Sequence, residues 1–212
     1  MTRLIRLDRI HEEPLNRSQG ADDAHPMRKV TQQIVESETG WSPERAAKVK
    51  ELFDGLASEW KTRATPERLV PLLDALDRGG LDGAEICCEV GCGSGVASPI
   101  LADRFSQLIC FDLSMNMLRF GPETLSRAVA DASSLPLADS SVDVLVVVNM
   151  FLFPGEYARV LRRGGKLLWA SSDGDRTPIY LPIEDVAASL GDGFECMGAD
   201  AGPGCWLVGK KL

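Results

Sequence analysis

Short apolar runs that alternate with helical segments constrain the fold of this chain more than any other feature of its sequence. The runs follow the Gly79–Gly80 pair and are Glu85–Val90, Leu108–Asp112, Ala128–Ala130, Val142–Val148, Lys166–Ser171, Phe194–Met197 and Cys205–Gly209. Because they are largely apolar throughout, we expect them to be buried on both faces, as the strands of a parallel sheet are. The pattern predicts an α/β fold with an open, mostly parallel sheet of about seven strands and helices on both faces.

The residues before Gly79 carry helical patterns only. Ser42 and Thr65 each precede a proline and are typical N-caps, and Pro71 is expected to bend or interrupt the helix that follows Thr65. We expect three units: a flexible or loosely docked arm over 1–26, a helical extension over 27–80 that covers the site, and a core over 81–212. The alternative for the arm is a short strand or helix that packs on a neighbouring element.

Composition and charge exclude several classes of protein. The 212 residues carry a formal net charge of −8, which argues against a nucleic acid held through its phosphates. The longest apolar stretch, Val142 to Phe153, is too short to cross a bilayer, and no secretory signal is visible, so we expect a cytoplasmic protein without membrane contact. The six cysteines have no Cys-x-x-Cys spacing, so we expect free thiols and no metal site. Both histidines, His11 and His25, are expected to be solvated.

A glycine-rich loop follows the first predicted strand of the sheet. It reads Glu89-Val-Gly-Cys-Gly-Ser-Gly95, with glycines at alternate positions where the chain turns and a ligand approaches the backbone closely. A helix N-terminus follows and favours a carboxylate or phosphate. The dinucleotide pattern G-x-G-x-x-G/A requires Gly or Ala at position 96. This chain has Val96 there, so the loop departs from the pattern. Asp112 lies 21 residues after Gly91, where a carboxylate can accept the ribose hydroxyls of a dinucleotide or of another nucleotide-like ligand. It therefore does not discriminate between them.

Over roughly Phe53 to Leu168 the chain resembles the class I S-adenosylmethionine-dependent methyltransferases, particularly the small type 11 methyltransferase domain. The motifs that carry the resemblance are Glu89–Gly95, Phe111–Asp112, Asp131–Ala132 and Val142–Val148. The family enters its fifth strand through Leu-x-Pro-Gly-Gly, whereas this chain has Leu161-Arg-Arg-Gly-Gly165 and lacks the proline. The resemblance implies a Rossmann-like methyltransferase sheet with S-adenosylmethionine as the cofactor.

The resemblance also implies roles for individual residues. The glycine loop would cradle the methionine part of the cofactor, with the acid at Glu89 supporting the loop. Asp112 would accept both ribose hydroxyls, and Asp131 would accept the adenine amine, with the Ala132 N–H opposite a ring nitrogen. The full set of expected cofactor contacts is Glu89, Gly91, Cys92, Gly93, Gly95, Asp112, Leu113, Asp131, Ala132 and Asn149.

The acceptor side of the site is less determined by the sequence. No catalytic base stands out, and the polar residues after the fifth strand (Asp173, Asp175, Arg176 and Tyr180) suit an ordinary turn as well as a substrate site. Trp60 either covers the methionine end of the cofactor or completes a core stripe. Met150 to Phe153 either line an apolar substrate pocket or are covered by the helical extension.

The resemblance implies methyl transfer, and the acidic charge together with the apolar Met150 to Phe153 segment favours a small, apolar metabolite as the substrate. Two alternatives remain: a non-catalytic module with this fold, and an NAD(P)-dependent oxidoreductase. Val96 opposes the oxidoreductase, as does the lack of a lysine four residues after either tyrosine, Tyr157 or Tyr180.

Overall fold

The computed structural model describes residues 3–14, 25–37, 40–63 and 65–212. The helices are α1 (Pro26–Glu36), α2 (Pro43–Leu56), α3 (Pro66–Arg78), α4 (Ser98–Arg104), α5 (Met115–Arg119), α6 (Pro154–Val160) and α7 (Ile183–Leu190). The strands are β1 (Leu4–Arg6), β2 (Ile86–Val90), β3 (Gln107–Asp112), β4 (Ser126–Val129), β5 (Val142–Val148), β6 (Leu161–Ser171), β7 (Phe194–Ala201) and β8 (Gly204–Lys211). A 3₁₀ segment, Ala57–Arg63, continues α2.

The strands form one sheet in the order β1-β7-β8-β6-β5-β2-β3-β4. All neighbouring pairs are parallel except those of β8, which is antiparallel to both β6 and β7. The predicted α/β class and the mostly parallel sheet are confirmed. In an open sheet of this kind, ligands bind beyond the carboxyl ends of the parallel strands, and this edge carries the residues that follow β4, β3, β2, β5 and β6.

Each face of the sheet carries its own apolar core, as the largely apolar strands require. On one face α3 and α4 pack through side chains such as Leu72, Leu76 and Leu101. On the other face α6 and α7 pack through Val160 and Val186, and Ile34 of α1 extends this core. Among the helices in the described part of the chain, none has the length and apolar character needed to cross a bilayer.

The sheet has eight strands where the sequence predicted seven. The additional strand, β1, pairs with β7 in parallel register, and Leu7 N–H donates to the Gly198 carbonyl at 2.9 Å. Leu4–Arg6 is too short and too charged for an apolar period to mark it in the sequence. Part of segment 1–26 is thus a docked edge strand, which was the open alternative for the arm, and residues 1–2 and 15–24 lie outside the described residues.

Helix α3 is anchored to the sheet by a buried carboxylate. Asp74 accepts hydrogen bonds from Trp206 Nε1 at 2.6 Å and from Arg78 Nε at 2.7 Å, and its side chain is 1% exposed. His11 Nε2 lies 3.5 Å from the same carboxylate, so the N-terminal segment also contacts this anchor. The helix is continuous across Pro71, which the sequence analysis expected to bend or interrupt it.

Candidate functional site

The residues predicted to form the site lie around one cavity at the carboxyl ends of the parallel strands. The cavity has a volume of about 460 Å³. All of the predicted cofactor contacts except Gly95 line it, and they are Glu89, Gly91, Cys92, Gly93, Asp112, Leu113, Asp131, Ala132 and Asn149. Gly95 lines a neighbouring open groove together with Pro122 and the N-terminal end of α3. The structure therefore brings together residues that are up to 60 positions apart in the sequence, from Glu89 to Asn149.

The glycine loop folds as its composition requires. Gly91, Gly93 and Gly95 all have positive φ values, of 73°, 57° and 74°, in the region that side chains with a Cβ rarely adopt. A Cβ placed on Gly93 would lie 3.3 Å from Trp60 Nε1, inside the space between the loop and the tryptophan. The loop therefore presents bare backbone to the cavity, as a close-fitting ligand needs.

Glu89 supports this loop from below. Its side chain is buried and accepts a short hydrogen bond from Ser98 Oγ, while Cys110 Sγ lies 3.7 Å from the same oxygen. Burial raises the pKa of the Glu89 carboxyl well above its ordinary value, because water no longer stabilises the ionised form. The contacts connect β2 to the first turn of α4 and to β3, so they hold the ends of the glycine loop.

Asp112 ends β3 and faces the loop. One carboxylate oxygen accepts the Gly93 N–H at 2.8 Å, and the other accepts the Ser114 N–H at 2.8 Å. Burial raises the pKa of this carboxyl, and the two backbone donors oppose that rise. Each oxygen retains a lone pair for a further donor. This geometry fits a ligand that presents two neighbouring hydroxyl groups, as a ribose does.

Asp131 lies beyond β4 and is contacted by a residue that the sequence analysis did not single out. Trp41 Nε1 donates to the Asp131 carboxylate at 3.0 Å from each oxygen, and the Ser133 N–H donates at 2.9 Å. The Trp41 ring packs against Phe151 and Phe153 with centroid distances of 5.5 Å in both cases. Trp41 therefore closes the Asp131 end of the cavity and ties the helical extension to it.

The opposite end of the cavity is built around Ser172, which follows β6. Asn149, which has a φ of 53°, donates from Nδ2 to Ser172 Oγ at 2.8 Å and accepts the Ser172 N–H at 2.8 Å. Arg68, in the first turn of α3, donates from Nε to the same hydroxyl oxygen at 3.2 Å. These three residues come from three elements that are distant in the sequence, and each of them lines the cavity.

The helical extension forms the roof of the cavity. Trp60 lies against the glycine loop and packs edge-on against Phe53 with a centroid distance of 5.5 Å, so it extends the apolar stripe of α2. His25, which was expected to be solvated, is partly buried and lines the cavity. Its Nδ1 accepts the Met27 N–H at 3.2 Å and caps α1.

The remaining predicted residues divide between the cavity and the core. Asp173 and Arg176 line the cavity, whereas Asp175 and Tyr180 are not among the residues that line it. Met150 and Phe151 line the cavity, and Leu152 is fully buried in the core. The Met150–Phe153 segment is thus divided: its first two residues line the cavity, Leu152 lies in the core, and Phe153 is covered by Trp41 of the helical extension.

The six cysteines are buried free thiols. Burial raises the pKa of Cys88 and of Cys205 to about 12, so these two thiols are neutral packing groups at ordinary pH. Cys92 lines the cavity and packs beside Cys110 and Leu118.

Sequence reasoning missed Trp41, Arg68 and Ser172. None of them belongs to a motif with a fixed spacing. Trp41 and Arg68 reach the cavity because the helical extension folds back over the sheet, and Ser172 lies there because it follows β6. The one available signal is indirect: Arg68 follows the N-cap Thr65 by three residues, so it lies in the first turn of a helix whose position over the sheet the sequence does not reveal.

Comparison with known proteins identifies the type of domain. Residues 88–169 match a family model described as "Methyltransferase domain". A malonyl-[acyl-carrier protein] O-methyltransferase of Methylovorus sp. (strain MP688) is 32% identical over 149 residues, which are 59% of this chain and 50% of the relative. A protein of the same name from Dechloromonas aromatica is 30% identical over 65% of this chain and 55% of its own length. The chain spans about half the length of the curated relatives it matches.

Solved structures resemble this chain in fold. A crystal structure described as a SAM dependent methyltransferase from Aquifex aeolicus has a TM-score of 0.59 at 17% identity and covers 80% of this chain and 98% of its own. A putative methyltransferase in complex with the Trm112 activator of Haloferax volcanii has a TM-score of 0.63 at 17% identity, covering 75% and 97%. At these identities the likeness concerns the fold alone.

Proposed function

We propose, from the membership of this chain in the class I S-adenosylmethionine-dependent methyltransferases, that its cavity binds S-adenosylmethionine and serves methyl transfer to a small molecule. The observation that carries the proposal is the Asp112 carboxylate: one oxygen accepts from the glycine loop, the other from Ser114, and each keeps a lone pair for a ribose hydroxyl. Gly91 and Gly93 also line the cavity and present no side chain to such a ligand.

The proposed roles follow the order of the strands along the sheet edge. Asp131 after β4 accepts the adenine amine, Asp112 after β3 accepts the ribose hydroxyls, and the loop after β2 holds the amino-acid part. When bound, the cofactor supplies a methyl group that its sulfonium makes electrophilic. The task of the protein is then to orient the acceptor in line with that methyl group and to exclude water. Orientation alone can supply roughly 7–11 kcal/mol of the barrier reduction.

Three of the titratable residues in the cavity are already engaged, which favours an acceptor that needs no dedicated base. His25 accepts the Met27 N–H through Nδ1 and caps α1. Glu89 is buried beneath the loop and held by Ser98, and Asp112 is engaged by two backbone N–H groups. Methyl transfer to an atom that is already nucleophilic at neutral pH requires none of these groups to remove a proton.

We propose a carboxylate oxygen as the acceptor atom on this basis. Carboxylates are ionised at neutral pH and attack without prior deprotonation. The curated relatives are named for O-methylation of a malonyl group on an acyl-carrier protein, and a malonyl group bound through one end has a carboxylate at the other. The apolar side chains of Met150, Phe151 and Ile179, which line the cavity, give an acyl chain a surface to pack on.

The experiment is a turnover assay for S-adenosylhomocysteine with purified protein, S-adenosylmethionine and a panel of acceptors. The panel pairs each carboxylic acid with its methyl ester and with the corresponding amine, so that only the acceptor atom changes. We expect turnover with acids and none with their esters. Turnover with amines alone would exclude the carboxylate acceptor, and silence across the panel together with tight cofactor binding would favour the non-catalytic module.

A further inference from the structure

We propose that Arg68, held by Ser172, is a binding site for a carboxylate group at the end of the cavity opposite Asp131. The inference rests on the proposed function, because it assumes that the cavity receives an adenosyl cofactor and an acceptor. It adds a residue and a ligand chemistry to the half of the cavity in which the sequence left the binding residues other than Asn149 open. Three observations support it: the hydrogen bonds of Ser172, the lack of an acid paired with Arg68 among the described residues, and the position of both residues along the sheet edge.

The side chain of Arg68 is fixed in place by one hydrogen bond. Its Nε donates to Ser172 Oγ at 3.2 Å, and Ser172 is itself held by Asn149 through two hydrogen bonds of 2.8 Å. Ser172 is 3% exposed and Arg68 is partly buried, so the hydroxyl end of this bond is shielded from water. Because Nε is engaged, the two terminal Nη groups of the guanidinium remain, and a planar pair of N–H donors matches the two oxygens of a carboxylate.

Several arginines of the chain lie beside an acid, whereas no acid in the described ranges pairs with Arg68. Arg78 pairs with Asp74, Arg159 with Glu156, and Arg162 with Asp143. Within the part of the chain that the structure describes, Arg68 has no carboxylate within 4 Å, and the only side chain it bonds is the neutral hydroxyl of Ser172. A guanidinium that lines a cavity and has no carboxylate within ion-pair distance favours an anionic ligand at its own position.

The hydroxyl of Ser172 adds a third donor. Its oxygen accepts from both Arg68 Nε and Asn149 Nδ2, which uses both lone pairs. The hydroxyl proton is therefore left to donate to another acceptor. Arg68 and Ser172 both line the cavity, so the Nη donors and this hydroxyl are available to one carboxylate, which has enough lone pairs for all of them.

The position of this site leaves two possible sources for the carboxylate. Ser172 follows β6 and Asp112 follows β3, three strands away, so with neighbouring strands about 4.8 Å apart the two residues are separated by roughly 14 Å along the sheet edge. The site therefore lies beyond the ribose, on the side of the glycine loop. The carboxylate is either that of the amino-acid end of the cofactor or that of the acceptor.

The experiment measures binding to Arg68→Met by calorimetry, with Arg119→Met as a matched control at an exposed arginine outside the cavity lining. Three probes separate the sources: S-adenosylhomocysteine, 5′-methylthioadenosine, which lacks the amino-acid end, and malonyl-pantetheine added to protein loaded with S-adenosylhomocysteine. We expect Arg68→Met to lower the affinity for one carboxylate-bearing probe by about 10- to 100-fold, equivalent to two hydrogen bonds to a charged group, with methylthioadenosine unchanged.

Each outcome has a defined meaning. Loss confined to S-adenosylhomocysteine assigns the carboxylate to the cofactor, and loss confined to malonyl-pantetheine assigns it to the acceptor. Arg68→Lys should recover part of the lost affinity, because the charge returns without the planar pair of donors. Unchanged binding of both probes in a variant that melts like the wild type overturns the Arg68 site and leaves the proposed function intact.

Failure of the wild type to bind S-adenosylhomocysteine would instead remove the proposed function, and this inference with it.

Ser172→Ala is the second variant. It frees the Arg68 side chain without removing its charge, so we expect a loss of about threefold to tenfold for the same probe. If Ser172→Ala weakened methylthioadenosine equally, Ser172 would act through the cavity as a whole and not through Arg68.

Discussion

The two halves of the cavity are built in different ways. The half over β2, β3 and β4 consists of short loops that directly follow strands. Its two aspartates, Asp112 and Asp131, each accept a backbone N–H from two residues further along the chain, and Asp112 also accepts one from the facing glycine loop. The half over β5 and β6 is assembled from side chains of α3 and of two strand ends, linked through Ser172. Apart from the Trp41 bond to Asp131, the first half is held by neighbouring residues and facing loops, whereas the second is held by elements that are distant in the sequence.

The strongest test of this contrast is Asp112→Ala. This change removes the main hydrogen-bond acceptor from the half of the cavity over β2, β3 and β4. Loss of hydrogen bonds between a charged carboxylate and two ribose hydroxyls should cost about 3 kcal/mol, or about 100-fold in affinity for S-adenosylhomocysteine measured by calorimetry. Asp82→Ala is the control, since Asp82 is an exposed aspartate whose partner is Arg104. Equal affinity of Asp112→Ala and wild type in a folded protein would remove Asp112 from the site.

The second test concerns the buried support of the loop. Because burial raises the pKa of the Glu89 carboxyl in the folded state, the folded protein holds this proton more tightly than the unfolded chain. The stabilising contribution is therefore complete below the unfolded pKa and is lost as pH rises towards the folded value, by up to about 1.4 kcal/mol per pH unit. Denaturant unfolding between pH 4.5 and 8 should show this fall in the wild type relative to Glu89→Gln. A constant difference between the two proteins would contradict it.

A third test separates backbone strain from the space that a ligand needs. Gly93→Ala and Gly83→Ala both place a Cβ on a residue with positive φ, so both should lose about 1–2 kcal/mol of stability. A Cβ on Gly83 meets open space, whereas one on Gly93 lies 3.3 Å from Trp60 Nε1. Only Gly93→Ala should lose cofactor affinity as well, by about 10-fold in the same calorimetric assay. Similar affinities for the two variants would place the ligand away from the loop.

The smallest expected effect is that of Trp41→Phe, which keeps an aromatic ring against Phe151 and Phe153 but removes the donor to Asp131. We expect a loss of about 1 kcal/mol in the free energy of unfolding. A double-mutant cycle with Asp131→Ala isolates this bond from the change in ring size. A coupling energy near zero would show that the contact between the helical extension and Asp131 contributes nothing to stability.

The half of the cavity over β2, β3 and β4 could be predicted because its residues follow the strands directly. Gly91 and Gly93 are needed where the chain turns at the end of β2, and Asp112 ends β3, so an apolar run followed by these residues is enough to place them. The same reasoning predicted the order of helices and strands in the core, because the apolar runs buried on both faces have no other stable arrangement in water.

The half of the cavity over β5 and β6 and the eighth strand could not be predicted, because both depend on contacts between residues that are far apart in the sequence. Arg68 meets Ser172 across 104 positions, and no local pattern encodes how α3 lies over the sheet. Likewise β1 is a short, partly charged strand that is recognisable only from its pairing with β7. His25 was expected to be solvated because it lies in a polar segment, but as the N-cap of α1 it is held at the cavity.

A crystal structure of the protein with S-adenosylhomocysteine tests the central claim most directly. We predict density for the ligand in the cavity, with both ribose hydroxyls within 3.2 Å of the Asp112 carboxylate and the amino-acid part along Gly91 to Gly93. Saturating ligand with no density in the cavity, or density that leaves Asp112 bonded only to Gly93 and Ser114, would contradict the account.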